Sequence, residues 1–160
     1  MKNELPFAAI DQESVIRQYA DTVYRLAWAY VRNQADADDV FQEVFLRYVR
    51  RAPEFENEEH RKAWLLRVTI NCAKSHLKKK HFRPMHLTED TISFTTPEAL
   101  ELNEALKMLP PKYRAVIHLF YYEDCTAEEI GKILNRKPAT VRTQLTRARE
   151  QLSKLLTEDA

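Results

Sequence analysis

The chain has 160 residues, of which 44% are hydrophobic and 31% charged, with a formal net charge of +1 at pH 7. This balance fits a soluble globular protein and excludes a disordered tail or a fibrous chain. A single glycine, Gly131, excludes the turn-rich all-β architectures and predicts an all-α chain of helices joined by short loops.

Val15, Ile16, Tyr19, Val23, Leu26, Ala27, Tyr30 and Val31 recur at helical spacing and predict a first amphipathic helix over about Glu13 to Arg32. Asp11 or Ser14 is placed to cap it, and Asn33 to end it. A second helix is expected from Asp36, with Val40/Phe41, Val44/Phe45 and Tyr48/Val49 stepping by four until Pro53 closes it. After a polar, acidic loop carrying Phe55, a third helix runs from about His60 to Lys80, with Trp64, Leu65, Val68, Cys72 and Leu77 facing inward. Three such stripes can enclose one core, so residues of about 10 to 81 form a first helical domain.

Residues 82–97 hold no steady period and are expected to be a flexible linker. Thr96-Pro97 suits a helix entry, and a short helix then runs to about Met108. Leu109-Pro-Pro111 breaks it, and Tyr113, Val116, Ile117 and Phe120 give the next stripe. Thr126-Ala-Glu-Glu129 reads as a capping box. The helix it opens carries Ile130, Ile133 and Leu134, and Asn135-Arg-Lys137 is a tight turn. Pro138 then opens a last helix burying Val141, Leu145, Ala148, Leu152 and Leu155. Short helix, tight turn and longer helix make a helix-turn-helix, within a second domain of residues 98–157. Gly131, inside the first of these helices, is expected to permit a close crossing.

Charge is unevenly distributed. From Arg61 to Arg83 there are eight Lys or Arg and no acid, and from Asp36 to Glu59 eight acids against three bases. Lys137 to Lys154 holds five bases and one acid. Alternating patches predict at least two kinds of partner.

On the last helix, Arg142, Thr143, Thr146 and Arg147 lie across from the apolar stripe, flanked by Thr140 and Arg149. Arginine pairs with two acceptors of guanine and threonine offers a hydroxyl and a methyl to base edges. Lys137, Arg149 and Lys154 suit phosphates. On the third helix Arg67, Asn71, Lys74 and Lys78 fall four, three and four apart, a second nucleic-acid face to which Arg61 is added. Asp39, Gln42 and Glu43 form an acidic ridge that would repel DNA and suits a basic protein surface. A carboxylate metal site there lacks the Glu-x-x-His pairs of di-metal bundles. The five histidines show no ligand spacing, and triads and phosphate loops are absent, so no metal, cofactor or enzymatic activity is expected. Cys72 and Cys125 belong to no paired motif and read as small buried hydrophobes of a reducing compartment. Met1 to Ala9 lacks a signal-peptide core and no apolar run reaches the roughly 20 residues that span a bilayer, so a cytoplasmic location without membrane insertion is expected.

Together these segments resemble the extracytoplasmic-function sigma factors of bacterial RNA polymerase over nearly the whole chain. Asp36-Ala-Asp-Asp-Val-Phe-Gln-Glu-Val-Phe-Leu-Arg47 is similar to a stretch of region 2, and Ala63-Trp-Leu-Leu-Arg-Val-Thr-Ile-Asn71 to the segment facing the minus-ten element. Leu109-Pro-Pro-Lys-Tyr-Arg114 resembles the opening of region 4, and Thr126 to Arg149 its helix-turn-helix. The resemblance implies that Asp39, Gln42 and Glu43 dock on the clamp helices of the polymerase largest subunit. It implies that Arg67, Asn71 and Lys74 meet the non-template strand, beside a loop of about Pro53 to Arg61 that takes a flipped base. By the same likeness Arg142, Thr143, Thr146 and Arg147 read the minus-thirty-five element, and Val116 to Tyr122 docks on the flap of the second-largest subunit. Gln144 departs from the basic residue common there. An anti-sigma partner is also implied. The rival reading is a stand-alone helix-turn-helix regulator that binds duplex DNA without polymerase.

Overall fold

The computed structural model describes residues 11–80 and 97–158. The expected linker of residues 82–97 lies outside them except for Pro97, which opens a helix. The chain divides into two compact units at Met85/His86, and the described residues form helices joined by short loops, with no strand.

In the first unit, α1 spans Gln12–Val31, α2 Gln34–Arg51 and α3 Glu58–Lys80, and each packs on the other two. Asp11 is the cap of α1, its carboxylate accepting from the Glu13 N–H at 3.2 Å. Asn33 does not end α1, as the sequence reading had it. Arg32 ends it, in the left-handed region at φ 59°, its N–H donating to Trp28 O. Asn33 instead joins the two helices. Its Oδ1 accepts from the Asp36 N–H at 2.8 Å, capping α2, while its Nδ2 donates to Val31 O at 3.1 Å. That side-chain cap lets α2 begin two residues earlier than expected. At the other end Ala52, which precedes Pro53, is extended (ψ 134°) and stops α2.

Val15, Val23, Leu26, Val40, Val44, Leu65, Leu66 and Ile70 form the core, all at most 2% exposed. Burying each such side chain contributes roughly 1.5–3 kcal/mol, more than the propensity of any single helix supplies. Val49, expected in the stripe, is 47% exposed and lies outside this core. Its neighbour Tyr48 takes the inward place, against Phe55 and Trp64.

The second unit holds α4 (Pro97–Met108), α5 (Pro111–Ile117), α6 (Ala127–Leu134) and α7 (Pro138–Glu158), with α7 packed against the other three. α5 runs on into one π-helical turn, His118–Tyr122, whose wider spacing turns Tyr121 and Tyr122 outward. The Thr126 capping box is complete: its hydroxyl accepts from the Glu129 N–H at 3.1 Å and the Glu129 carboxylate accepts from the Thr126 N–H at 3.4 Å. Asn135 ends α6 at φ 55°, and Val141, Leu145 and Ala148 fix α7 to the unit's core. Cys72 and Cys125 are both buried and unbridged.

Candidate nucleic-acid and protein interfaces

Four surfaces emerge, two on each unit. On α2, Asp39 and Gln42 are exposed and Glu43 half-buried, with Glu43 held by Arg47 at 2.7 Å. Leu46, 50% exposed, and Val49 continue this ridge one and two turns on. The apolar extension was missed in the sequence because Val49 fits the core period and Leu46 stands alone. His76 of α3 approaches the ridge, its Nδ1 3.9 Å from Asp36 Oδ1, with Asp39 close by. Spacing along α2 alone does not reveal this imidazole, which belongs to a contact between helices.

Beneath the ridge lies Cys72. Burial pushes its thiol up to about 11, and the Glu43 carboxylate adds to that while Arg47 opposes it. The thiol stays protonated and unreactive at neutral pH.

On α3, Arg67, Asn71, Lys74 and Lys78 are all exposed, one cationic face with an amide in its middle. Asn71 lies outside while Ile70 and Cys72 on either side are buried, so the backbone fixes where the amide points. Arg61 does not join them. It is 2% exposed and its guanidinium pairs with Glu58, so its place among the expected DNA contacts is corrected. The signal was present: Arg61, Leu65, Thr69 and Ala73 step by four along the buried stripe.

On α7, Thr140, Arg142, Thr143, Thr146, Arg147 and Arg149 are exposed, as is Lys137 in the turn before it. The Thr143 and Thr146 hydroxyls donate back to Ala139 O and Arg142 O at 3.1 and 3.0 Å. This leaves their lone pairs and methyl groups for an outside partner. Arg142 pairs with Glu128 of α6. Gln144 accepts from the Arg136 guanidinium at 2.7 Å, so the residue that departs from the resemblance ties the turn to α7.

Arg149 reaches elsewhere. Its Nε donates to the Tyr121 hydroxyl at 2.7 Å and its guanidinium lies 5.3 Å from the Phe120 ring centre. With Tyr121 it closes one side of an apolar groove of about 500 Å³ between α4, the π turn and α7, walled by Leu102, Leu106, Ile117, Tyr122, Leu152 and Leu156. Of the segment expected to meet the flap, Val116, Ile117 and Leu119 are buried and Tyr121 and Tyr122 are exposed. Near them His118 and Glu123 face each other at 3.3 Å, both buried.

Family models place the two units. Sigma-70 region 2 matches residues 15–83 and Sigma-70, region 4 matches residues 99–152. The ECF RNA polymerase sigma factor SigW of Bacillus subtilis is 30% identical over 164 residues, which cover 89% of this chain and 87% of that protein. The chain belongs to the extracytoplasmic-function sigma factors. SigE of Mycolicibacterium smegmatis is 35% identical over 88% of the chain, which spans 59% of that relative's length. In fold the chain matches the sigma factor RpoE crystallised with the anti-sigma factor NepR from Bartonella quintana, with a TM-score of 0.78 and 19% identity over 92% of this chain and 98% of that one.

This sigma factor is therefore a specificity subunit that directs RNA polymerase to promoters, in a family that is not one of enzymes. No helix among the described residues is long and apolar enough to cross a membrane.

Proposed function

We propose that this sigma factor docks on core RNA polymerase through the α2 ridge, opens the minus-ten element on the α3 face and reads the minus-thirty-five element with α7. Asp39, Gln42 and Glu43 meet the basic clamp helices of the largest subunit, and Leu46 and Val49 add apolar contact where the acids stop. Arg67, Asn71, Lys74 and Lys78 hold the non-template strand. Lys137 sits on phosphate beside the bases met by Thr140, Arg142, Thr143, Thr146 and Arg147. Arg149 is committed to Tyr121 and Phe120, so it lines the groove that takes the flap of the second-largest subunit more than it serves phosphate. An anti-sigma protein, like the NepR crystallised with RpoE of Bartonella quintana, restrains the factor by covering these same surfaces in the cytoplasm.

One observation carries the reading. The first unit presents an acidic-apolar ridge and a cationic face with a central amide on neighbouring helices, and a stand-alone regulator needs neither. Each DNA surface is modest alone, and binding to one polymerase makes the second contact intramolecular, raising its effective concentration. No bond chemistry falls to the factor itself.

The test is equilibrium binding of the labelled protein to purified bacterial core polymerase. Asp39→Lys with Glu43→Lys should weaken binding by about tenfold or more while leaving duplex binding by the second unit unchanged. Core binding unaffected by both reversals would sink the docking assignment.

A further inference from the structure

Arg61 is the one described cation of α3 withdrawn from the surface. Its guanidinium donates to Glu58, whose second oxygen accepts from the Tyr19 hydroxyl of α1. It also lies 5.4 Å from the centre of the Phe55 ring. Phe55 is 8% exposed, stacked on Tyr48 at 6.4 Å and set edge-on to Trp64 at 5.8 Å. The turn around it is tied down as well. The Glu56 N–H donates to His60 Nδ1 at 3.2 Å, the His60 N–H to Asn57 Oδ1 at 2.8 Å, and the Arg61 N–H to Asn57 O at 3.2 Å.

An exposed connection of this length is ordinarily the loosest part of a helical unit. This one is pinned from beneath by a buried guanidinium paired with a half-exposed carboxylate, a hydroxyl and an aromatic cage. A pair with one partner this open to solvent contributes little net stability, so its effect here is on the shape of the turn. Extruding a base costs a few kcal/mol, and a turn that had to order itself at the same moment would add its own entropy to that cost. A turn shaped in advance adds nothing.

We propose that Arg61 is a positioning residue for promoter opening: through Glu58 and Phe55 it holds the turn of residues 52–57 in the shape that receives an unpaired minus-ten base. Its loss therefore lowers discrimination among minus-ten sequences and spares polymerase binding. The proposal rests on the assignment of the α3 face to the opened strand.

The experiment uses reconstituted holoenzyme and a promoter selected with the wild-type protein. Open complex, read by permanganate reactivity, is measured on the matched template and on templates with single minus-ten substitutions. Arg61→Met should lower the matched-to-mismatched ratio by about tenfold, and Arg61→Lys should restore part of it. Tyr19→Phe removes one hydroxyl with no change of packing and should lower the ratio by about threefold, which keeps the test decisive if Arg61→Met folds poorly. Leu65→Ala, a core truncation, should lower thermal stability and leave the ratio alone. Wild-type discrimination in Arg61→Met and Tyr19→Phe, or an equal loss in Leu65→Ala, overturns the proposal. If Asn71→Ala opens promoters normally, the α3 assignment fails and the proposal falls with it. If Asn71→Ala abolishes opening while Arg61→Met discriminates normally, the Arg61 proposal alone is wrong.

Discussion

The carbonyl oxygen of Arg136 lies 2.5 Å from the point where a Cβ on Gly131 would stand. The helix-turn-helix closes on itself there, because the Arg136 N–H also donates to Gly131 O at 2.8 Å. The chain's single glycine is thus placed where the backbone of the turn folds back onto α6. A neighbour at that distance is main chain and cannot swing aside as a flexible side chain would.

Gly131→Ala should consequently destabilise the second unit, although alanine favours a helix by about 1 kcal/mol. Overpacking costs typically 1–3 kcal/mol and the clash is with backbone, so a net loss is expected. Thermal unfolding followed by circular dichroism would show a lower midpoint for the variant. A midpoint at or above the wild-type value would mean the turn relaxes freely and does not depend on Gly131.

Arg142 and Glu128 form an exposed pair across the two helices of the motif. Such pairs are worth at most about 1 kcal/mol, so the arginine can exchange its carboxylate for a guanine edge at little cost. Glu128→Gln should tighten binding to the cognate duplex by up to about fivefold, since a competing charge is removed. Arg142→Ala should lose about 1–3 kcal/mol on the cognate site and much less on an unrelated one. Equal loss on both duplexes, measured by fluorescence anisotropy, would make Arg142 a phosphate contact and not a reader.

Lys137, in the turn ahead of α7, is assigned to phosphate. Its replacement by alanine should weaken binding to all duplexes alike and reduce the slope of log affinity against log salt by about 1. An unchanged slope with altered base preference would reverse the roles of Lys137 and the α7 residues.

Burial raises the Cys72 thiol from 9.0 to about 11 in the folded chain. The native state therefore holds this proton more tightly than the unfolded state does. The resulting stability is full below about pH 9 and is lost as pH rises through the folded value near 11. The stability gap between wild type and Cys72→Ala should narrow across that window, and alkylation of Cys72 at neutral pH should wait for unfolding. A gap that stays constant from neutral pH to about 11 would contradict the burial argument.

Much of this was legible in the sequence because helical stripes and helix boundaries are local. Val141, Leu145 and Ala148 step along one face, Thr126 and Glu129 form their box within a single turn, and Pro53 stops α2 through its neighbour Ala52. What could not be read depends on distant contacts or on which edge of a stripe faces out. Asn33 fits the end of one helix as well as the start of the next, and only the bonds to Val31 and Asp36 decide. Arg61 reads as a surface cation by its charge, yet its place on the buried period and its pairing with Glu58 set it inside. Arg149 bonds to a tyrosine 28 residues away, and spacing along α7 carries no trace of that. The apolar groove likewise needs α4, the π turn and α7 together.

The two units are proposed to act jointly on a polymerase. Run-off transcription with purified bacterial core enzyme, this protein and a library of randomised promoter templates tests it most directly. Joint action gives protein-dependent transcripts whose templates share two short upstream motifs at a fixed spacing, with Asn71→Ala and Arg142→Ala each degrading only one of them. No stimulation of the core enzyme, together with tight binding of the protein alone to duplex DNA, would contradict it.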